Sequence, residues 1–181
     1  MRVFVALELP VSVKDKLVIY QEEIKGLYPV GNYSFGDNFH VTLKFIGEVG
    51  VDGLSSIKAC MDRVVSGIVD FEVSLGGLGV FVKGNRCIIW SKVLDNWSLL
   101  RLCSDLDGCL SRDGFVRMDR SFRPHVTLGR NVLCDGYGIS NIVCDIIGFS
   151  VNSICLMESK RVDGVLMYVP IYRVFFGGMR D

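Results

Sequence analysis

The sequence predicts an α+β fold in which short antiparallel strands pack against amphipathic helices. Three observations support this prediction. Strand-like and helix-like stretches alternate along the 181 residues, several neighbouring strands are separated only by a short glycine-containing turn, and no linker or low-complexity tract divides the chain. We therefore expect one domain over residues 1–181.

Hydrophobic periodicity assigns the individual elements. Short apolar or alternating runs predict strands, and apolar residues every three to four positions predict helices. In the third helix, for example, Leu99, Leu102, Leu106 and Leu110 share one face. The expected order is strand 2–8, helix 12–26, strand 39–46, helix 52–68, strands 71–81 and 86–93, helix 96–112, strand 124–129, and strands 146–157 and 167–176.

Capping and turn residues set the expected boundaries. Ser12, with Asp15 three residues later, resembles a capping box for the first helix, and Asp52 is expected to cap the second. Turns are expected at 83–85 and at 163–164, where glycine follows a polar or charged residue. The stretch 131–144 is interpreted as a loop with a short helix.

The bulk composition is that of a soluble globular protein. Half of the residues are apolar, and the 20 Lys and Arg balance the 20 Asp and Glu. A chain without net charge has no global field that attracts polyanions, so contact with a nucleic acid requires a small local site. The first eight residues are too short for a signal-peptide core, and no apolar run is long enough to span a membrane, so we expect a cytoplasmic protein with no membrane contact.

The seven cysteines do not form a recognisable metal or redox motif. Their number is odd, and no two are separated by the two-residue gap of a CxxC motif. With only two histidines, a zinc site would need scattered cysteines or carboxylates. We therefore expect buried, reduced thiols, with neither a metal ion nor a cofactor.

The most informative feature is a repeated tetrapeptide. His40-Val41-Thr42-Leu43 recurs as His125-Val126-Thr127-Leu128, and these are the only two histidines of the chain. Alternate side chains of a strand share a face, so each copy presents an imidazole beside a hydroxyl while its apolar residues enter the core.

Two imidazoles and two hydroxyls suit the cleavage of a phosphate ester. Histidine titrates near pH 6.5, so one ring can accept a proton as a neutral base while the other donates one as a cation. Hydroxyl groups donate hydrogen bonds to phosphoryl oxygens. A single His-x-Thr on a strand usually has only a structural role, but duplication of the context for both histidines favours an acid–base pair. The pattern does not determine which histidine is the acid and which is the base.

Several neighbours of the tetrapeptides are candidate phosphate or base contacts. Strict alternation places Lys44 beside His40 and Arg123 beside His125. Pro124 and Gly129 interrupt that alternation, so Arg130 can also turn inward. A sparse basic run and three aromatic residues are further candidates, although surface charge and core packing are their alternative interpretations: Arg117, Arg120, Arg123, Tyr33, Phe35 and Phe45.

With these motifs the sequence resembles the 2H phosphoesterase superfamily, which is named for its paired His-x-Thr/Ser-x motifs. Within it, the chain is similar to the bacterial and archaeal RNA 2′,3′-cyclic phosphodiesterases, formerly called 2′-5′ RNA ligases. The resemblance extends over nearly the whole chain and includes residues 2–10, 38–48, 77–81, 122–130, and Glu158-Ser159 with Gly164 and Tyr168.

The resemblance implies a bilobal fold with pseudo-twofold symmetry. Two intertwined lobes, each an antiparallel sheet backed by helices, would line a central cleft. His40 would be the proton donor to the departing 3′ oxygen and His125 the proton acceptor that activates water. Thr42 and Thr127 would bind the phosphate. No metal would be required, and the product would be a 2′-phosphomonoester.

The implied substrate is RNA with a 2′,3′-cyclic phosphate end, or a small cyclic nucleotide; no protein partner is implied. One alternative is cleavage or formation of 2′-5′ linkages at the same site. Another is a protein that binds RNA ends without turnover, although binding alone does not require two titratable rings. A histidine-based metal enzyme is the least favoured interpretation.

Overall fold

The computed structural model describes residues 1–117, 123–135 and 137–177. Nine strands and three α-helices are present in these ranges, together with two short 3-10 helices at Gly36–Asn38 and Gly138–Asn141. The strands are β1 Arg2–Glu8, β2 Asn32–Tyr33, β3 His40–Glu48, β4 Phe71–Lys83, β5 Arg86–Val93, β6 His125–Leu133, β7 Ile147–Val151, β8 Ser153–Val162 and β9 Val165–Phe175. The helices are α1 Val11–Leu27, α2 Val51–Val65 and α3 Trp97–Arg112.

The strands form two antiparallel sheets, which confirms the α+β prediction. The first sheet has the order β3-β1-β8-β9, and the second has the order β2-β6-β5-β4-β7. Helices α2 and α3 contact each other and strands of the first sheet, whereas α1 contacts β6 of the second. One continuous apolar core joins these layers. Strands β3 and β6, which carry the two tetrapeptides, contact each other between the sheets.

The inner faces of the helices are apolar, as their periodicity predicts. All four leucines of the stripe on α3 are buried. On α2 the buried residues include Ile57, Met61 and Val65, while Leu54 and Val64 are half-buried. None of the helices in the described ranges has both the length and the apolar character of a membrane span.

The predicted helix caps at Ser12 and Asp52 are wrong. Pro10 precedes α1 and Gly50 precedes α2, so each polar residue lies at the second helical position, and neither cap position makes a side-chain hydrogen bond. Pro10 has the extended conformation of an N-cap residue (φ −55°, ψ 150°), and its carbonyl oxygen accepts hydrogen bonds from the Val13 and Lys14 amides, so α1 begins directly after it at Val11. By contrast, the side chain of Asn96 does cap α3, since it accepts a hydrogen bond from the Leu99 amide at 2.9 Å.

The predicted strand 146–157 is two strands in different sheets. Strand β7 ends at Val151 and pairs with β4, whereas β8 begins at Ser153 and pairs with β1 and β9. Only Asn152 separates them. Because apolar residues face the core on both sides of this break, the hydrophobic pattern continues through the change of sheet. The predicted turn at Asp163-Gly164 is confirmed, and both residues have positive φ angles.

The cysteines follow the expectation only in part. Cys60, Cys103, Cys109 and Cys155 are buried free thiols, and Cys144 is half-buried. Cys87 of β5 and Cys134, which follows β6, are joined as a disulfide, contrary to the expectation of reduced thiols throughout. The two cysteines are 47 residues apart in sequence, so the pairing is not evident there; they meet because β5 and β6 are neighbours in the second sheet.

Candidate active site

Both tetrapeptides face one cleft between the two sheets. The cleft has a volume of about 580 Å³, and its lining includes His40, Thr42, His125, Thr127 and Arg130. Each histidine is the first residue of its strand, and each threonine follows two positions later on the same face. The alternating valine and leucine of each copy are fully buried on the opposite face. The structure therefore brings together all four residues predicted from the repeat.

Backbone carbonyls fix the tautomers of the two imidazoles. Nδ1 of His40 lies 2.7 Å from the carbonyl oxygen of Asn38, and Nδ1 of His125 lies 2.7 Å from that of Arg123. A carbonyl oxygen can only accept, so Nδ1 carries the proton in both neutral rings. Nε2 is then the nitrogen that exchanges protons. In His40 it lies 3.0 Å from Oγ1 of Thr42, whose hydroxyl donates to it.

Each imidazole also packs against two aromatic side chains, which contact each other as well. The ring centroid of His40 is 4.8 Å from that of Phe4 and 5.0 Å from that of Tyr168. The centroid of His125 is 5.6 Å from that of Phe81 and 5.7 Å from that of Trp90. Phe4, Phe81 and Tyr168 belong to the segments that carry the family resemblance, but sequence reasoning did not place any of the four aromatic residues beside the histidines. They come from other strands, and only the sheet register brings them there.

Burial lowers the pKa of both histidines. The pKa of His40 falls to about 4, mainly through desolvation; the Asn38 carbonyl opposes the shift, while the charges of Arg130, His125 and Lys14 add to it. Desolvation also lowers the pKa of His125, opposed by its bond to the Arg123 carbonyl and reinforced by Arg130. Both rings are therefore neutral at pH 7 when the cleft holds no anion.

Lys44 does not reach the cleft, contrary to the prediction from strand parity. In the β1–β3 pairing, Val5 is opposite Lys44 but Ala6 is opposite Thr42, so Leu43 is an extra residue in β3. This bulge turns Lys44 into the core, where it is only 1% exposed. Its ammonium lies 2.5 Å from both a carboxylate oxygen of Asp107 and the carbonyl oxygen of Val116.

The same irregularity in β6 turns Arg130 toward the cleft. Trp90 is opposite Thr127, yet the preceding residue Ile89 is opposite Gly129, so Leu128 is an extra residue there. The guanidinium of Arg130 lies 3.4 Å from Oγ1 of Thr127. This confirms the expectation that Arg130 turns inward.

The other sequence candidates have different positions. Phe45 reaches the cleft and is 54% exposed, with the guanidinium carbon of Arg2 at 5.2 Å from its ring centroid. Tyr33 is half-buried and donates its hydroxyl to the Tyr28 carbonyl, which is a packing role. Phe35, Arg117 and the side chain of Arg123 are exposed, and Arg120 lies outside the described residues.

Comparison with known proteins gives concordant results for sequence and fold. Residues 33–163 match the model of the 2′-5′ RNA ligase superfamily. A protein of Archaeoglobus fulgidus named RNA 2′,3′-cyclic phosphodiesterase is 33% identical over 131 residues, or 72% of each chain. A protein of the same name from Methanocaldococcus jannaschii is 31% identical over 72% of this chain and 71% of its own.

Two crystal structures show the same bilobal fold. A Thermus thermophilus protein superposes with a TM-score of 0.82 at 22% identity, covering 98% of this chain and 99% of its own. LigT of E. coli in complex with 3′-AMP superposes with a TM-score of 0.79 at 21% identity, covering 97% of both chains. The fold implied by the sequence resemblance is thereby confirmed.

Proposed function

The chain belongs to the 2′-5′ RNA ligase superfamily, and from this we propose that it hydrolyses 2′,3′-cyclic phosphates at RNA 3′ ends to 2′-phosphomonoesters. The observation that carries the proposal is the pair of imidazoles that line one cleft, each with Nδ1 bound to a carbonyl oxygen, which leaves Nε2 as the nitrogen that can exchange a proton. The names of the archaeal relatives support the same substrate, and the nucleotide bound to E. coli LigT supports a nucleotide-sized ligand.

In the proposed reaction one histidine accepts a proton and the other donates one. Nε2 of His125 accepts a proton from water as the water oxygen attacks phosphorus. The bond from phosphorus to the 3′ oxygen breaks, and Nε2 of His40 donates a proton to that oxygen. The sum is addition of water across one P–O bond. General acid and general base catalysis each contribute about 10²–10⁴ in rate. The order of the two roles comes from the family resemblance.

The negative charge of the substrate phosphate favours the protonated form of His40 that the reaction requires. An anionic phosphate beside Nε2 favours the imidazolium and raises the pKa of His40 from its low value in the free protein. The anion also neutralises Arg130, whose charge lowers the pKa of both rings. Binding of the substrate thus reverses part of the shift that burial causes.

The threonines and Arg130 are proposed to hold the phosphate. In the free protein the Thr42 hydroxyl donates to Nε2 of His40, and rotation toward a phosphoryl oxygen frees that nitrogen for proton transfer. Thr127 lines the same cleft as Thr42, and Arg130 adds a positive charge beside it. No metal ion takes part in this scheme.

The decisive experiment is hydrolysis of a short RNA with a 2′,3′-cyclic phosphate end in the presence of EDTA. We expect wild-type turnover to the 2′-phosphate and a loss of at least about 10²-fold in both His40→Ala and His125→Ala. Circular dichroism controls for folding of the variants. Tight binding without turnover would instead indicate a binding protein, and preferential reaction of 2′-5′-linked RNA would indicate the linkage chemistry of the family name.

A substrate with sulfur in place of the departing 3′ oxygen separates the two histidines. A thiol is far more acidic than an alcohol, so the thiolate departs without help from a proton donor. We expect His40→Ala to recover most of its rate on the sulfur substrate and His125→Ala to stay slow. The opposite pattern would exchange the two roles.

A further inference from the structure

Asn38 connects the imidazole of His40 to a distant strand. The residue is only 7% exposed, and all four of its polar groups are engaged, the backbone amide by donation to the Phe35 carbonyl at 3.0 Å. Its backbone carbonyl accepts the Nδ1 proton of His40, its side-chain amide donates to the Leu166 carbonyl at 2.8 Å, and its side-chain oxygen accepts from the Tyr168 amide at 3.1 Å.

These bonds join the two edges of the first sheet. Strand β3, which begins two residues after Asn38, is one edge of the order β3-β1-β8-β9, and β9 is the other edge. The Asn38 amide acts as an additional peptide unit that pairs with the free side of β9. The sheet must curl for this contact to form, and the curl also brings Tyr168 edge-on to the ring of His40, with 5.0 Å between ring centroids.

We propose that Asn38 is a positioning residue for the proton donor His40, an inference that rests on the function proposed above. The two hydrogen bonds of its side chain hold the Asn38 carbonyl in place, and that carbonyl fixes the His40 tautomer. The same two bonds hold the strand whose Tyr168 packs against the His40 ring. One residue thus determines both the protonated nitrogen and the lateral packing of His40. Without the anchor, Nε2 loses its fixed direction toward the departing oxygen.

The other half of the molecule lacks this arrangement. Arg123 occupies the equivalent position, two residues before His125, and its carbonyl accepts the Nδ1 proton in the same way. Its side chain is exposed and makes no hydrogen bond to the described residues, so nothing among them ties that carbonyl to a second strand. The proposed effect of Asn38 is therefore specific to His40.

The test compares Asn38→Ala and Asn38→Asp with Asn96→Ala. Asn96 is a matched control, since its amide likewise donates to a carbonyl, that of Glu72, and accepts from an amide, that of Leu99, at a site outside the cleft. On the oxygen substrate we expect kcat/KM to fall by about 10–10²-fold in both Asn38 variants and to change little in the control. On the sulfur substrate, which needs no proton donor, we expect the Asn38 variants to recover to near wild type.

Nitrogen NMR of the two imidazoles provides a readout that does not depend on turnover. We expect a pure Nδ1-protonated tautomer for His40 in the wild type and a tautomer mixture for His40 alone in Asn38→Ala, with His125 unchanged. His40→Ala assigns the signals, because the chain has only two histidines.

The outcomes are distinguishable. If Asn38→Ala leaves the His40 tautomer pure, or is equally slow on both substrates, the positioning role is wrong and Asn38 only stabilises the fold. If wild type hydrolyses neither substrate, the proposed function fails, while the NMR result still decides whether Asn38 positions His40.

Discussion

Replacement of Lys44 by methionine distinguishes a structural lysine from one that binds phosphate. Methionine keeps the apolar stem but removes the ammonium that contacts Asp107 and the Val116 carbonyl. Breaking a buried ion pair by removing one partner costs roughly 3–5 kcal/mol. The side chain of Asp107 is 17% exposed, so water takes over part of its solvation, and we expect the lower end of this range, about 3 kcal/mol.

Urea unfolding followed by tryptophan fluorescence measures this loss. For a slope of about 2 kcal/mol per molar urea, the unfolding midpoint should fall by about 1.5 M. The double variant Lys44→Met, Asp107→Leu should recover part of that loss, since both charges are then absent. Hydrolysis measured on the folded fraction should keep kcat/KM within about a factor of three.

The opposite pattern would refute the reasoning. An unchanged unfolding midpoint, together with a loss of kcat/KM of about 10²-fold or more, would mean that Lys44 contacts the substrate. The bulge at Leu43 would then not be the arrangement of the working protein, and simple alternation along β3 would be restored.

Three further predictions concern the cleft. Arg130→Met should lower kcat/KM by about 10²-fold and, because a positive charge that lowers the pKa of both histidines is removed, shift the pH profile of the free protein to higher pH. The pKa of His40 is lowered on folding to about 4, so the contribution of this ring to stability is complete above pH 6.5 and is lost as the pH falls toward 4. The urea midpoint should therefore fall between pH 6.5 and pH 4. The accompanying loss of unfolding free energy should be about 3 kcal/mol larger in wild type than in His40→Gln. Gly79→Ala would place a Cβ 2.3 Å from the Trp90 ring that lies beside His125, so calorimetry should show a loss of about 1–3 kcal/mol, accompanied by slower hydrolysis. Gly148→Ala is its control, because the nearest atom there is 3.8 Å away, and an equal loss in both would exclude the contact with Trp90 as the cause.

The sequence predicts the centre of the site because that part depends only on local geometry. His40 and Thr42 are two residues apart on one strand, as are His125 and Thr127, and strand alternation is reliable over so short a distance. The face to which the Lys44 side chain points depends on a bulge, because one extra residue reverses the face of the residues that follow it in the strand. The neighbouring glycine in β6 indicates such a change for Arg130, but β3 has no glycine until Gly47.

The surroundings of the histidines depend on which strands become neighbours. Tyr168 lies 128 residues after His40 in the chain (168 minus 40), yet their rings touch in the curled first sheet. Likewise, the division of 146–157 between two sheets depends on partners elsewhere, since its own residues are apolar on both sides of Asn152. Such information resides in long-range pairing, which periodicity within a window does not contain.

The bulges in β3 and β6 make the two walls of the cleft chemically different. Phe45 and Arg130 each lie five positions after their histidine, so the two halves present the same backbone irregularity with opposite chemistry, a flat apolar ring on one wall and a cation on the other. A symmetrical pair of imidazoles would accept a ligand either way round. With these two walls, we expect a molecule that has an anionic head and a planar tail to bind in one orientation, so that in the proposed reaction the same histidine would meet the same oxygen at every turnover.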